Sequence, residues 1–160
     1  MAKINILMGS PSDMETVSEA VNMLKEFKAD FEVRVLSAHR TPKEVVEYVE
    51  DASKAGTKVF IAAAGMSAAL AGVVAAHTIL PVIGIPVETK NLKGLDSLLS
   101  TVQMPPGVPV ACMSIGKSGA RNAALLALEI LGLSDPKISA KLINYKKQMC
   151  LKIKQTKIKV

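Results

Sequence analysis

The six residues Ser37-Ala38-His39-Arg40-Thr41-Pro42 hold the densest chemistry in this 160-residue chain. The imidazole has an ordinary pKa nearest neutrality, so it both takes and returns a proton at pH 7. Arg40 beside it presents a planar fork of donors suited to phosphate or carboxylate. Thr41 and Pro42 read as a helix entry, with Thr41 as N-cap and Pro42 at the first helical position, where a missing N–H is harmless. A solvated loop histidine beside a surface cation is the plain alternative, and the elements around the pair decide between the two.

Those elements follow from hydrophobic periodicity. Apolar runs predict strands over 3–8, 31–36, 58–63, 80–85 and 109–115. Helical spacing predicts helices over 12–27, 42–55, 68–77, 94–102 and 118–131, and Ser134-Asp135-Pro136 opens a last helix through a basic tail. No repeat or linker divides the chain, so one domain over 1–160 is expected, with a core over 3–133 and the C-terminal helix and tail over 134–160. Strands alternating with helices imply a three-layer α/β fold, a parallel sheet with helices on both faces. The helix over 68–77 has no polar face, which predicts that a second subunit covers it.

In such sheets ligands bind outside the carboxyl ends of the strands, where strand order reverses. The segments 9–13, 37–42 and 64–70 all fall there and are expected to converge. Ser10 and Ser12, with backbone N–H groups at a helix N-terminus, make an anion site that Arg40 and the Ser37 loop complete. Asp13 suits ribose hydroxyls, or else it is first-turn helix charge. Gly65, Met66 and Ser67, running into the helix that carries Leu70, offer close backbone approach and little bulk, which suits a flat heterocycle. Together they read as a nucleotide-monophosphate pocket with one acid-base residue, His39.

Other classes fit less well. Aromatics make up 3% of the chain, with no Trp, against stacking on single-stranded nucleic acid. The net charge of +6 is local: eight lysines follow Asp135 with no acid among them, leaving 12 basic and 14 acidic residues up to that point. The two cysteines, Cys112 and Cys150, have neither metal nor disulfide spacing, and His77 reads as a helix-end cap, so no metal site is expected. A reducing, cytoplasmic setting fits, and the N-terminus carries no secretory pattern. Residues 59–87 lack any charge, but Gly65, Gly72, Pro81, Gly84 and Pro86 interrupt the run, so no membrane span is expected. Gly9-Ser10-Pro11-Ser12 lacks the lysine of a Walker loop and the glycine spacing of a dinucleotide fingerprint. A flavin site would want aromatics, and a phospho-receiver would want a carboxylate where Ala64 and Gly65 stand.

The segments Gly9 to Asp13, Ser37 to Pro42, Pro81 to Val87, Gly94 to Ser100, Val102 to Pro105 and Ala120 to Leu126 together resemble the small subunit of phosphoribosylaminoimidazole carboxylase. In bacteria this family includes N5-carboxyaminoimidazole ribonucleotide mutase. The resemblance implies a flavodoxin-like fold and de novo purine biosynthesis, with a carboxylate moved from the exocyclic nitrogen of an aminoimidazole ribonucleotide to ring carbon C4. It also implies no metal or organic cofactor, CO2 as trapped intermediate or substrate, and a homo-octamer with sites between subunits, to which the C-terminal helix reaches across. Neither nucleic acid nor membrane is implied as a partner. Residue by residue, it assigns Ser10, Asp13 and Arg40 to the ribonucleotide and His39 to proton transfer.

One departure leaves two branches open. Ala69 stands where mutases usually carry a second histidine, and the pattern Ser67, Ala69, Leu70 is similar to the branch that carboxylates aminoimidazole ribonucleotide directly with CO2. Arg40 and the remaining motifs are similar to the mutase. A noncatalytic nucleotide-binding homologue and a polyanion-binding role for the lysine-rich tail are the alternatives of a different class.

Overall fold

The computed structural model of the chain describes residues 3–158; Lys159 of the basic tail lies outside them, as do both ends of the expected 1–160 domain. Five runs form strands: β1 (Ile4–Met8), β2 (Phe31–Val35), β3 (Val59–Ala64), β4 (Val82–Pro86) and β5 (Ala111–Cys112). All pair in parallel, in the order β2-β1-β3-β4-β5. Every residue of β1 and β4 is buried, as expected for strands covered on both faces. The chain steps outward from β1 to β2 and returns past β1 to β3, so strand order reverses there. Met8 lies level with Val35 on one side and Ala63 on the other, which brings the carboxyl ends of three strands to one edge.

Helices α1 (Met14–Glu26) and α5 (Gly116–Gly132) cover one face, and α2 (Pro42–Lys54), α3 (Leu70–Ala76) and α4 (Leu95–Val102) the other. On α1, Val17, Ala20 and Leu24 recur at helical spacing and are fully buried beside Ile4, Ile6 and Ile61. Truncating Leu24 to Ala there costs about 2–5 kcal/mol. On the opposite face Leu7, Phe60 and Val82 pack with Val45, Val49 and Val74.

Asn5 is the polar exception in β1, 0% exposed. Its amide donates to Thr57 Oγ1 at 2.6 Å, and its carbonyl accepts from the Tyr48 hydroxyl at 3.0 Å. That hydroxyl also lies 3.2 Å from Glu32 Oε2, and burial with the nearby carboxylate pushes the phenol up to about 12, so it stays a donor.

The structure corrects several expectations. The fifth strand, expected over 109–115, pairs only at Ala111–Cys112, because Pro109 has no N–H to give and the strand lies at the sheet edge. Helix α5 starts at Gly116, where a positive φ of 75° turns the chain, two residues before expected. Helix α3 begins at Leu70, two residues late, because Ala68 and Ala69 are held in short turns back to Met66 and Ser67. His77 does stand at the C-cap of α3, as expected, with its backbone N–H bonded to Val74 O and its ring Nδ1 3.7 Å from Glu50.

Helix α4 is built inside out. Ser97 and Thr101 face the sheet at 0% and 2% exposure, their hydroxyls bonded to the carbonyls of Val87, Gly94 and Ser97. Gly84 on β4 admits this approach, since a Cβ there would stand 2.4 Å from Thr101 Cγ2. Leu95, Leu99 and Val102 point outward at 51%, 49% and 47%. The last helix, α6 (Pro136–Gln155), is capped by Asp135 and packs through Leu142 and Tyr145 on α5 and Phe27. Beyond these, Met149 and Ile153 continue the same stripe into solvent. None of the described helices is long and apolar enough to cross a membrane.

Candidate active site

The carboxyl ends of β1, β2, β3 and β4 surround one cleft of about 820 Å³, a size suited to a small organic ligand. The β1 wall is the segment after Met8. Gly9 continues the ladder by donating to Ala63 O at 3.1 Å, and Ser10 then caps a single 3-10 turn, Pro11–Asp13, that feeds α1. Ser10 Oγ accepts from the Ser12 amide and hydroxyl, while Asp13 Oδ2 accepts from the Ser10 amide at 3.0 Å, a reciprocal capping box. The amides of Ser10, Ser12 and Asp13 are therefore all bonded inside the turn. The backbone N–H groups expected at the anion site are thus engaged within the turn, which presents the Ser10 and Ser12 hydroxyls to the cleft. The Asp13 carboxyl is pushed above its ordinary pKa by burial, against the opposing pull of the Ser10 amide, Arg40 and the Gly9 amide.

The β2 wall is the turn expected to hold the reactive pair. Thr41 stands at the N-cap of α2 with Pro42 opening the helix, as expected, but its Oγ1 bonds no helix amide: it accepts from Ser37 N at 2.9 Å and lies 3.2 Å from Ser37 O. Ser37 Oγ in turn accepts from both the backbone N and Nε of Arg40 at 3.3 Å. Arg40 Nη2 donates to Gly9 O at 2.6 Å and so ties this turn to the β1 segment. Three of the five guanidinium donors remain for a ligand. His39 is exposed on the cleft, and among the described residues no hydrogen bond or ion pair engages its ring.

The β3 wall is Ala64 to Leu70. Gly65 faces the segment after β4, where a Cβ would make ordinary contact with Thr89 Cγ2 at 3.4 Å and Val87 Cβ at 3.7 Å. Met66 takes a positive φ of 58°. The structure thus brings Ser10, Ser12, Asp13, Ser37, His39, Arg40, Gly65, Met66, Ser67 and Leu70 to one cleft, together with Ala69.

Sequence reasoning missed the fourth wall, the loop after β4, from which Val87, Glu88, Thr89, Lys90 and Asn91 line the cleft. Thr89 Oγ1 donates to Asp96 Oδ1 at 2.8 Å and accepts from Gly94 N, closing this loop on the start of α4. Gly94 stands at φ 89°, and a Cβ there would meet Ile115 Cγ2 at 2.5 Å, so only glycine fits. The rule that ligands sit at strand carboxyl ends would have found this loop had it been applied to β4 as well. Among the described residues no group of three His, Cys, Asp or Glu side chains is placed to hold a metal ion. Cys112 is half-buried away from the cleft, its thiol pushed up by burial.

Comparison with known proteins gives a consistent result. Residues 3–152 match the family described as AIR carboxylase. A relative from Methanocaldococcus jannaschii, named N5-carboxyaminoimidazole ribonucleotide mutase, is 57% identical over 150 residues, covering 94% of this chain and 92% of its own. One of the same name from Bacillus subtilis is 55% identical over 139 residues, covering 87% and 86%. The crystal structure of Treponema denticola PurE superposes with a TM-score of 0.86 at 32% identity, covering 94% of this chain and 92% of that one. A match across nearly the whole length, in sequence and in fold, establishes that the chain belongs to the AIR carboxylase family.

Proposed function

We propose that this protein is an N5-carboxyaminoimidazole ribonucleotide mutase, an isomerase of purine biosynthesis acting in the cytoplasm. The observation that carries the reading is His39, whose ring has no partner among the described residues, sharing one turn with Arg40 on the cleft. Relatives bearing the mutase name at 49% to 57% identity support it. In this reading the hydroxyls of Ser10, Ser12 and Ser37 and the spare donors of Arg40 hold the phosphate, and Asp13 holds ribose hydroxyls. Gly65, Met66, Ser67 and Leu70 line the ring.

The chemistry needs one group that gives and then takes a proton. Protonated His39 supplies a proton to the exocyclic nitrogen as its bond to the carboxylate breaks, releasing CO2 within the cleft. C4, electron-rich through the amino group, attacks that CO2, and neutral His39 then removes the C4 proton. The imidazole ends as it began, and the net change is migration of the carboxylate. No organic cofactor enters these steps.

Ala69 favours a second reading, direct carboxylation of aminoimidazole ribonucleotide by dissolved CO2, which makes the protein a lyase. A paired turnover assay separates the two. One arm supplies N5-carboxyaminoimidazole ribonucleotide in CO2-depleted buffer, the other aminoimidazole ribonucleotide with CO2, and both are followed to the C4-carboxylated product. Efficient turnover in the first arm alone is expected; turnover in the second alone overturns the mutase assignment. Binding of the product with turnover in neither arm would leave a noncatalytic nucleotide-binding homologue.

The same reading includes a homo-oligomer, an octamer by family resemblance. The outward Leu95, Leu99 and Val102 of α4 and the overrun of Met149 and Ile153 on α6 support it, since a lone chain exposes them to water. On this view α6 reaches a neighbouring subunit. Sedimentation of the purified chain as a monomer at micromolar concentration would overturn it.

A further inference from the structure

Three described non-glycine residues take a left-handed backbone: Lys28 at φ 54°, Met66 at 58° and Lys93 at 52°. Lys28 ends α1, where its N–H returns to Lys25 O and the next amide to Leu24 O, the ordinary use of this conformation. Lys93 lies in the turn before Gly94 and does not line the cleft. Met66 alone of the three lines it. Its own carbonyl accepts from Ala68 N at 2.9 Å, which holds its backbone in a short turn.

A glycine adopts this backbone without strain, whereas a side chain with a Cβ does not. The strain is not offset by packing within the chain, because Met66 is 69% exposed. Strain held at a cleft, without a packing reason, points to a ligand. Of the neighbouring lining, Ala64, Gly65, Ala69 and Val87 are too short to cover a bound ring, and Leu70 is buried at 1% exposure. Methionine is long, unbranched and apolar, and its thioether contacts aromatic rings favourably.

We propose that Met66 is a specificity-determining residue, folding over the heterocycle of the bound ribonucleotide and screening the migrating carboxyl group from water. The inference rests on the reading of the cleft as an aminoimidazole ribonucleotide site. Met66 makes no proton transfer; it sets how tightly the ring is held and how much CO2 escapes before recapture.

The test compares Met66→Gly and Met66→Leu with the unaltered full chain. Removing the strain leaves the ligand-free Tm of Met66→Gly unchanged or higher. Its affinity for the C4-carboxylated product falls on the order of 5- to 10-fold, the effect of exposing tens of Å² of apolar contact. Labelled CO2 from solution enters the product carboxyl several-fold more often during turnover, while Met66→Leu stays within about twofold of the unaltered chain on both measures. Unchanged product affinity and label entry in Met66→Gly would overturn the proposal, as would a loss of affinity matched by a changed assembly state in sedimentation. If the unaltered chain itself fails to bind the product, the ligand reading is what falls, and the role of Met66 with it.

Discussion

The two sides of the cleft are held by different physics. On the β1 and β2 side, residues 9–13 and 37–41 are closed by side-chain hydrogen bonds, and Arg40 fastens one turn to the other through Gly9 O. On the β3 side, residues 64–70 carry small apolar groups, short backbone turns and one strained methionine. The first side is polar and charged; the second carries little bulk and is mostly apolar. A substrate with an ionised phosphate at one end and a flat ring at the other matches that division. Affinity for the anion and the proton step belong to the polar side, and shielding of the ring to the apolar side.

The sharpest test of that division is His39→Asn. An amide of similar size keeps the turn but cannot cycle a proton, so turnover falls on the order of 10²- to 10⁴-fold while product binding, measured by calorimetry, stays within a few-fold. Loss of binding in step with turnover would make His39 part of the binding surface instead. Arg40→Ala removes both the tie to Gly9 and the remaining donors. KM is expected to rise on the order of 10- to 100-fold with a smaller change in kcat, since charge-assisted hydrogen bonds are worth about 1.5–3 kcal/mol each. An unchanged KM would detach the guanidinium from the phosphate.

The mildest effect concerns Asp13. Burial raises its carboxyl pKa in the fold, so its favourable contribution to stability is present below the unfolded value and is lost as pH rises through the folded one. At pH 7 the ionised group is held at a disadvantage. Asp13→Asn keeps an oxygen to accept from Ser10 N, so its Tm at pH 7 is expected to equal or exceed that of the unaltered chain. The gap closes as pH falls toward 4, while nucleotide affinity drops at neutral pH. A lower Tm at pH 7 would show that the capping box needs the charge itself.

What was legible beforehand was whatever periodicity and chain order carry. Alternating apolar runs placed the central strands to within a residue or two, and the carboxyl-end rule pointed to the segments after β1, β2 and β3. What escaped depends on partners remote in sequence. That the Thr41 hydroxyl turns back to Ser37 rather than to an amide of α2, and that the Ser10 and Ser12 amides are already bonded, are choices among equivalent hydrogen bonds that composition does not separate. The loop after β4 escaped because Thr89, Lys90 and Asn91 look like any polar connection until Gly94 and Asp96 fold it inward. The inverted face of α4 escaped because its leucines suggest a buried stripe, while the close approach of Gly84 and Thr101 turns its small hydroxyl residues to the sheet.

The buried knot of Asn5, Thr57 and Tyr48 lies at the far end of the sheet from the cleft, yet it acts as an alignment mark. Aliphatic strands such as β1 and β3 slide past one another with little penalty, because one isoleucine or alanine replaces another. Asn5 can meet Thr57 and Tyr48 in one alignment only. A slip of one residue would strand its amide in hydrocarbon, advance Gly9 by about 3.3 Å and turn Ser10 toward the opposite layer. The amino-terminal end of the sheet thereby sets where the reactive end comes to rest.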